Sequence, residues 1–182
     1  MQHGKKVIAM STAIIVLTGP ESSGKTTLAR QLTEYWKAPL VEEVARDYLK
    51  REISYQQHDL LEIAKLQYRK EQALLSHFPE KLICDTDLLV MIVWSEVKYG
   101  RCDQWIYDTF EKCLKQEAFT RHYYLCDSEI PWQADDLREN PDNRNELFKL
   151  YLQKLREYEL DYNVVRGSRQ ERLEQVLNSL AS

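Results

Sequence analysis

Glycine and proline are both scarce in this chain, with five of each in 182 residues. Such a composition excludes a collagen-like, low-complexity or linker-rich protein. Basic residues have no surplus either. The 25 Lys and Arg face 29 Asp and Glu, a net charge of −4, so electrostatic capture of nucleic acid is not the expected task. No apolar run approaches the ~20 residues of a membrane-spanning helix, and no signal-peptide pattern opens the chain. The expected setting is cytoplasmic, with neither a membrane nor a nucleic acid as partner. The four cysteines, Cys84, Cys102, Cys113 and Cys126, form no C-x-x-C pair, and His3, His58, His77 and His122 do not cluster. Zinc-ligand spacing is therefore missing, and reduced thiols are expected.

Because glycine is rare, the pair Gly19 and Gly24 stands out. They bracket Gly19-Pro20-Glu21-Ser22-Ser23-Gly24-Lys25-Thr26, which follows the apolar run Ala13–Leu17 and precedes the helical pattern that begins at Thr27. This is the G-x-x-x-x-G-K-T phosphate-binding loop in its strand-to-helix context. Glycines at that spacing let consecutive backbone N–H groups and a helix N-terminus point at a phosphate chain. Gly19, Glu21, Ser22, Ser23, Gly24, Lys25, Thr26 and Thr27 are the candidate nucleotide-binding residues. Lys25 is expected to reach the β/γ-phosphates, and Thr26 to ligate Mg²⁺. ATP and Mg²⁺ are thus the implied cofactors.

Short apolar blocks recur at Ile14–Leu17, Pro39–Val41, Lys81–Cys84, His122–Cys126 and Tyr162–Val165, separated by helical patterns. That alternation predicts an α/β chain of the P-loop NTPase fold, a five-stranded parallel sheet of order 2-3-1-4-5 flanked by helices, like the nucleoside and nucleotide kinases. Residues 1–12 read as a leader, and 13–182 as a single P-loop kinase domain of a size that one core can serve. The loop-like stretch 127–145, with Pro131 and Pro141, is a candidate lid.

In open α/β sheets ligands sit beyond the carboxyl ends of the strands, so the polar residues that follow each block carry the chemistry. Glu43 and Arg46 follow the second block, and Asp85-Thr86-Asp87 the third. Asp85 occupies a Walker-B-like position and is the candidate Mg²⁺ ligand beside Thr26. Asp85 and Asp87 also suit helix N-caps for a segment starting at Leu88, and the two roles are compatible. No D-x-x-G or N-K-x-D occurs, and Thr86 stands where motor ATPases carry a glutamate, so a small-molecule kinase leads over a GTPase or a motor. Phosphoryl transfer needs a carboxylate to accept the acceptor's proton, and Glu43, Asp85 and Asp87 are the candidates. Arg46, three residues after Glu43, either grips a polar substrate with it or forms a surface ion pair. In the lid, Arg138 and Arg144 are candidates to close over the triphosphate. Trp132 is either a stacking residue or a loop anchor. Gly167, after the fifth block, occupies the place where adenine lies in many such kinases.

The segments G-P-E-S-S-G-K-T at 19–26, E-x-x-R-x-Y at 43–48, D-T-D at 85–87 and P-W-x-x-D-x-x-R at 131–138 together resemble the ribosylnicotinamide kinase domain of the bifunctional NAD-biosynthesis regulators, an AAA-like ATPase domain. The resemblance implies ATP- and Mg²⁺-dependent phosphorylation of the 5′-hydroxyl of nicotinamide riboside, giving nicotinamide mononucleotide. It further implies that Glu43 and Arg46 line the riboside pocket, with Trp132 and Asp135 from the lid, and that Asp85 or Asp87 faces the 5′-hydroxyl. Asp136 stands where the family pattern W-x-x-D-G-x-R has glycine. The DNA-binding and adenylyltransferase parts of those regulators are not expected here. Two alternatives remain: a kinase for another nucleoside or a nucleoside monophosphate, and an ATP-binding regulatory module that phosphorylates no small molecule.

Overall fold

A computed structural model describes residues 11–49, 55–130 and 143–181. The chain runs β1 (Thr12–Thr18), α1 (Lys25–Trp36), β2 (Leu40–Val41), α2 (Val44–Leu49), α3 (Gln57–Leu75), β3 (Lys81–Asp85), α4 (Leu88–Tyr99), α5 (Gln104–Leu114), β4 (Phe119–Cys126), α6 (Arg144–Glu157), β5 (Tyr162–Val165) and α7 (Arg169–Ser179). The five strands form one sheet of order β2-β3-β1-β4-β5. Every pairing is parallel, with Val16 opposite both Cys84 and Tyr123. The expected sheet and its order are those observed.

β1 lies at the centre because it is apolar on both faces, a pattern that only a sheet covered on both sides satisfies. Its Ile14 and Val16 join a core with α2, α3, α4, α5 and α6, while Ile15 and Leu17 join a second core with α1 and α7. Ile14, Ile15, Val16 and Leu17 are all fully buried. The β-branched residues at three of these positions favour the extended chain, and their burial on both sides reinforces it. Helix starts are set by side chains: Asp87 accepts from Leu89 N, Asp103 from Trp105 N, and Ser168 with Glu171 forms a capping box on α7. Gly100 ends α4 in the left-handed conformation at φ +68°.

All four cysteines are free. Among the described residues no helix is long and apolar enough to cross a membrane. The proposed lid begins as a loop at 127–130 and ends in the first turn of α6. Trp132, Asp135, Asp136 and Arg138 lie outside the described residues, as does most of the 1–12 leader.

Candidate active site

The strand ends Thr18, Val41, Asp85, Cys126 and Val165 line one edge of the sheet, and beyond them opens a cleft of about 400 Å³. The loop from Gly19 to Gly24 walls one side. It is folded by its own bonds: the Ser23 hydroxyl donates to Pro20 O at 2.7 Å. Gly19 takes φ +129°, and a Cβ there would lie 2.7 Å from the Cys126 carbonyl oxygen, so no other residue fits. Gly24, at φ +85°, starts α1 under Ile130, whose Cδ1 would meet a Cβ at 2.8 Å. No side chain caps α1, and its first turn holds no acidic residue. Its leading N–H groups are thereby left for an anion, with the positive end of the helix dipole behind them.

Lys25 is turned back on this loop, donating to Gly19 O at 2.9 Å and Pro20 O at 2.7 Å. Phosphate oxygens would replace two neutral carbonyls with full charges, so the exchange favours binding. Glu21, Ser22, Ser23, Thr26 and Thr27 line the cleft with it.

Asp85 closes β3 at 3% exposure, and its Oδ1 has no hydrogen-bond partner. Burial raises its pKa, an effect partly offset by the Thr26 hydroxyl and by the Lys25, Arg46 and Arg30 cations. An orphaned buried carboxylate oxygen beside a threonine hydroxyl fits a hard, oxygen-seeking cation such as Mg²⁺. Glu43, between β2 and α2, lines the same cleft with Arg46. Burial likewise raises its pKa, opposed first by Lys25 and reinforced by Asp85. Lys25, Thr26, Glu43, Arg46 and Asp85 are therefore brought together.

Asp87 is not brought to the cleft. Its carboxylate accepts from Leu89 N at 3.0 Å and from the Tyr123 hydroxyl at 2.7 Å, and Arg121 lies 3.6 Å away. Arg121 in turn pairs with Glu71. Burial pushes the Asp87 carboxyl up to about 6, with Arg121 opposing. The expectation that Asp87 faces a substrate hydroxyl is thus corrected in its geometry: both oxygens are committed to a buried network under α3, α4 and α5. Its capping role is present.

Arg144 and Gly167 are also engaged with protein groups. Arg144, 9% exposed, donates to Ile130 O at 2.8 Å and to Ser22 O at 3.0 Å, tying the start of α6 to the phosphate loop. The Gly167 N–H donates to Glu129. Arg172, which sequence reading missed, makes the wider connection. It donates to Ser23 O at 2.7 Å, Gly167 O at 2.9 Å, Asp127 O at 3.3 Å and Glu129 Oε1 at 3.0 Å. One guanidinium thus joins the phosphate loop to the loops after β4 and β5. The available signal was its position four residues before Val176, on the buried face of α7.

Past Glu43 the cleft becomes apolar. Ala45 and Leu49 of α2, Val90, Val93 and Trp94 of α4, and Leu147 and Tyr151 of α6 form its far wall. The Trp94 Nε1 donates to the Tyr55 hydroxyl at 2.9 Å and is not offered to the cleft. A charged mouth and an apolar chamber can hold a phosphorylated donor next to the hydroxyl of a mostly apolar acceptor.

No curated protein matches this chain. Among solved structures, a NadR protein in complex with NR superposes with a TM-score of 0.71 at 19% identity, covering 92% of this chain and 51% of that one. This chain thus spans about half the length of that protein. Deoxyadenosine kinase from M. mycoides gives 0.64 at 16% identity, covering 92% of this chain and 98% of that one. Thymidylate kinase from Ehrlichia chaffeensis gives 0.66 at 15%, covering 93% and 99%. The fold is accordingly that of the P-loop nucleoside and nucleotide kinases. A model of the AAA domain family matches residues 14–172, which contain the phosphate loop, the Asp85 strand end and Arg172, and the chain belongs to that family.

Proposed function

We propose that this protein is an ATP- and Mg²⁺-dependent kinase that phosphorylates the 5′-hydroxyl of nicotinamide riboside. The observation that carries the reading is the convergence of Lys25, Thr26 and Glu43 at the mouth of one cleft that continues into an apolar chamber, with Asp85 beside Thr26 and Lys25 at the strand end. The NadR likeness and the E-x-x-R-x-Y and D-T-D segments support the acceptor.

In this reading the triphosphate lies along the loop and the start of α1, and Lys25 leaves the Gly19 and Pro20 carbonyls for phosphate oxygens. Thr26 and Asp85 would hold Mg²⁺, which neutralises charge on the phosphates. Glu43 accepts the proton of the acceptor hydroxyl as its oxygen attacks the γ-phosphorus. The bond from that phosphorus to the bridging oxygen breaks, and ADP leaves with the electron pair. A carboxylate whose pKa is raised by burial is a stronger base than an exposed one. Arg138, Trp132 and Asp135 of the lid complete the site in this proposal, and Arg144 and Gly167 frame the donor side.

Another nucleoside is the second reading, because the deoxyadenosine kinase likeness spans nearly all of that protein whereas the NadR likeness spans half. The deciding experiment is ADP release from ATP and Mg²⁺ with nicotinamide riboside, against deoxyadenosine, thymidine, cytidine, the nucleoside monophosphates and no acceptor. Stimulation by nicotinamide riboside is expected. Stimulation by a different acceptor alone would move the reading to that substrate, and none at all would leave an ATP-binding module.

A further inference from the structure

Between Asp85 and Asp87 the backbone takes an unusual turn. Thr86 is 1% exposed and has φ +76°, a region in which a β-branched residue is an outlier that its surroundings must enforce. In extended chain, residues two apart point the same way. The left-handed turn at Thr86 breaks that pattern, leaving Asp85 beside Thr26 and Lys25 while Asp87 meets Tyr123 and Leu89 N.

Two bonds hold the Thr86 peptide groups. Its N–H donates to Leu17 O at 3.1 Å, and its carbonyl accepts from Gln67 Nε2 at 3.3 Å. Gln67 is 3% exposed on α3, on the face that carries Leu60, Ile63 and Ala64. A primary amide there is costly unless both ends are bonded. Its other end is bonded as well: Oε1 accepts from Val44 N at 3.0 Å. Val44 opens α2 and directly follows Glu43. One rigid, planar group therefore touches the residue after Asp85 and the residue after Glu43.

We infer that Gln67 is a positioning residue: its side-chain amide fixes the placement of Glu43 relative to Asp85 by gripping the N–H of Val44, the residue after Glu43, and the carbonyl of Thr86, the residue after Asp85. The role needs a donor and an acceptor on one planar group, which glutamine supplies, glutamate supplies only in part and methionine lacks. Gln67 touches no substrate and acts through its two neighbours. The inference rests on the reading above that Glu43 and Asp85 serve the acceptor and the Mg²⁺-bound donor.

The test uses the full chain with Gln67→Met, Thr86→Gly and the double variant. Calorimetry measures how much Mg²⁺ strengthens binding of AMP-PNP, a readout that needs no acceptor. Gln67→Met is expected to cut that Mg²⁺-dependent gain roughly tenfold while metal-free affinity stays within about twofold, and to lower kcat roughly tenfold or more with the KM for Mg²⁺-bound ATP raised by about the factor that the gain loses. Glycine adopts the Thr86 conformation without help, so the double variant is expected to regain the Mg²⁺-dependent gain, the share that comes through Asp85, while the share of kcat that comes through Glu43 stays lost because Val44 N still lacks its acceptor. Should Gln67→Met not fold, Gln67→Glu keeps the Val44 bond, removes the amide donor to Thr86, and is expected to show the same loss of that gain. A folded Gln67 variant with the full Mg²⁺ gain and normal kcat, lower only in Tm, overturns the proposal. So does a double variant with no more of that gain than Gln67→Met. If the wild-type chain phosphorylates no acceptor, the kinase reading falls, while the Mg²⁺ readout still decides the role of Gln67.

Discussion

Asp85 and Asp87 stand two residues apart, are 3% and 2% exposed, and have opposite surroundings. Asp85 ends a strand at the edge of the cleft, with Oδ1 unpartnered. Asp87 has both oxygens bonded, in a network with Tyr123, Arg121 and Glu71 that encloses almost no free space. The contrast separates two uses of a buried carboxylate. Where every lone pair is met by protein, the group holds elements together. Where one is left unmet beside a cavity and a lysine, the protein has kept a place for something else.

Mutations on the two sides should therefore fail differently. The largest effect on turnover is expected at the cleft, where Lys25→Ala should lower kcat/KM by about 10³-fold with little change in Tm, because the lysine acts on phosphate charge and its present bonds are to two carbonyls of its own loop. An active Lys25→Ala enzyme would remove the phosphate loop from the chemistry. Asp85→Asn should cost roughly 10²-fold in kcat and abolish the dependence of nucleotide affinity on Mg²⁺, again with little change in stability. Asp87→Ala should do the reverse. Loss of the α4 cap and of the partner of the buried Tyr123 hydroxyl is expected to lower unfolding free energy by about 3 kcal/mol, read from denaturant curves. If Asp87→Ala kept full stability and lost turnover, the division between the two aspartates would collapse.

Two smaller effects sharpen the same contrast. The activity of a carboxylate base disappears as it is protonated, so kcat/KM should fall with acid through a midpoint above 4.5, the ordinary glutamate value, since burial raises the Glu43 pKa. Glu43→Gln should leave a low rate without that acid limb. A wild-type midpoint at or below the ordinary value would remove Glu43 as the base. The smallest change is expected at the end of α4, outside the cleft lining. Gly100 closes α4 in the left-handed region with open space around it, so Gly100→Ala should cost about 1 kcal/mol of stability and nothing in turnover.

The fold was legible because it rests on short-range patterns. Ile14–Leu17 is apolar at consecutive positions, as a doubly covered strand must be, and the phosphate loop is a contiguous motif whose backbone dictates its residues. The strand order followed from the same motif family. Site residues at strand ends were legible as candidates but not as roles. D-T-D singles out Asp85 for the metal but leaves either aspartate to face the acceptor, and only the backbone angle at Thr86, in a turn bonded to Leu17 from another strand and Gln67 from a helix, separates their surroundings. Arg144 and Arg172 illustrate the same gap. Arginines near a phosphate loop suggest phosphate ligands, yet here their donors meet the carbonyls of Ser22 and Ser23. Such partners are separated by more than a hundred residues of sequence and carry no local signature.

The sheet also divides the cleft. Its phosphate side is walled by α1 and α7, which pack in one core, and its apolar side by α2, α4 and α6, which pack in the other. Side-chain volume added or lost in one layer reaches the opposite layer only through the rigid strands between them. Under the kinase reading, the acceptor layer is free to be rebuilt for a new alcohol while the layer that grips the nucleotide is left alone, so descendants of one ancestral chain can diverge in what they phosphorylate without relearning how to hold ATP.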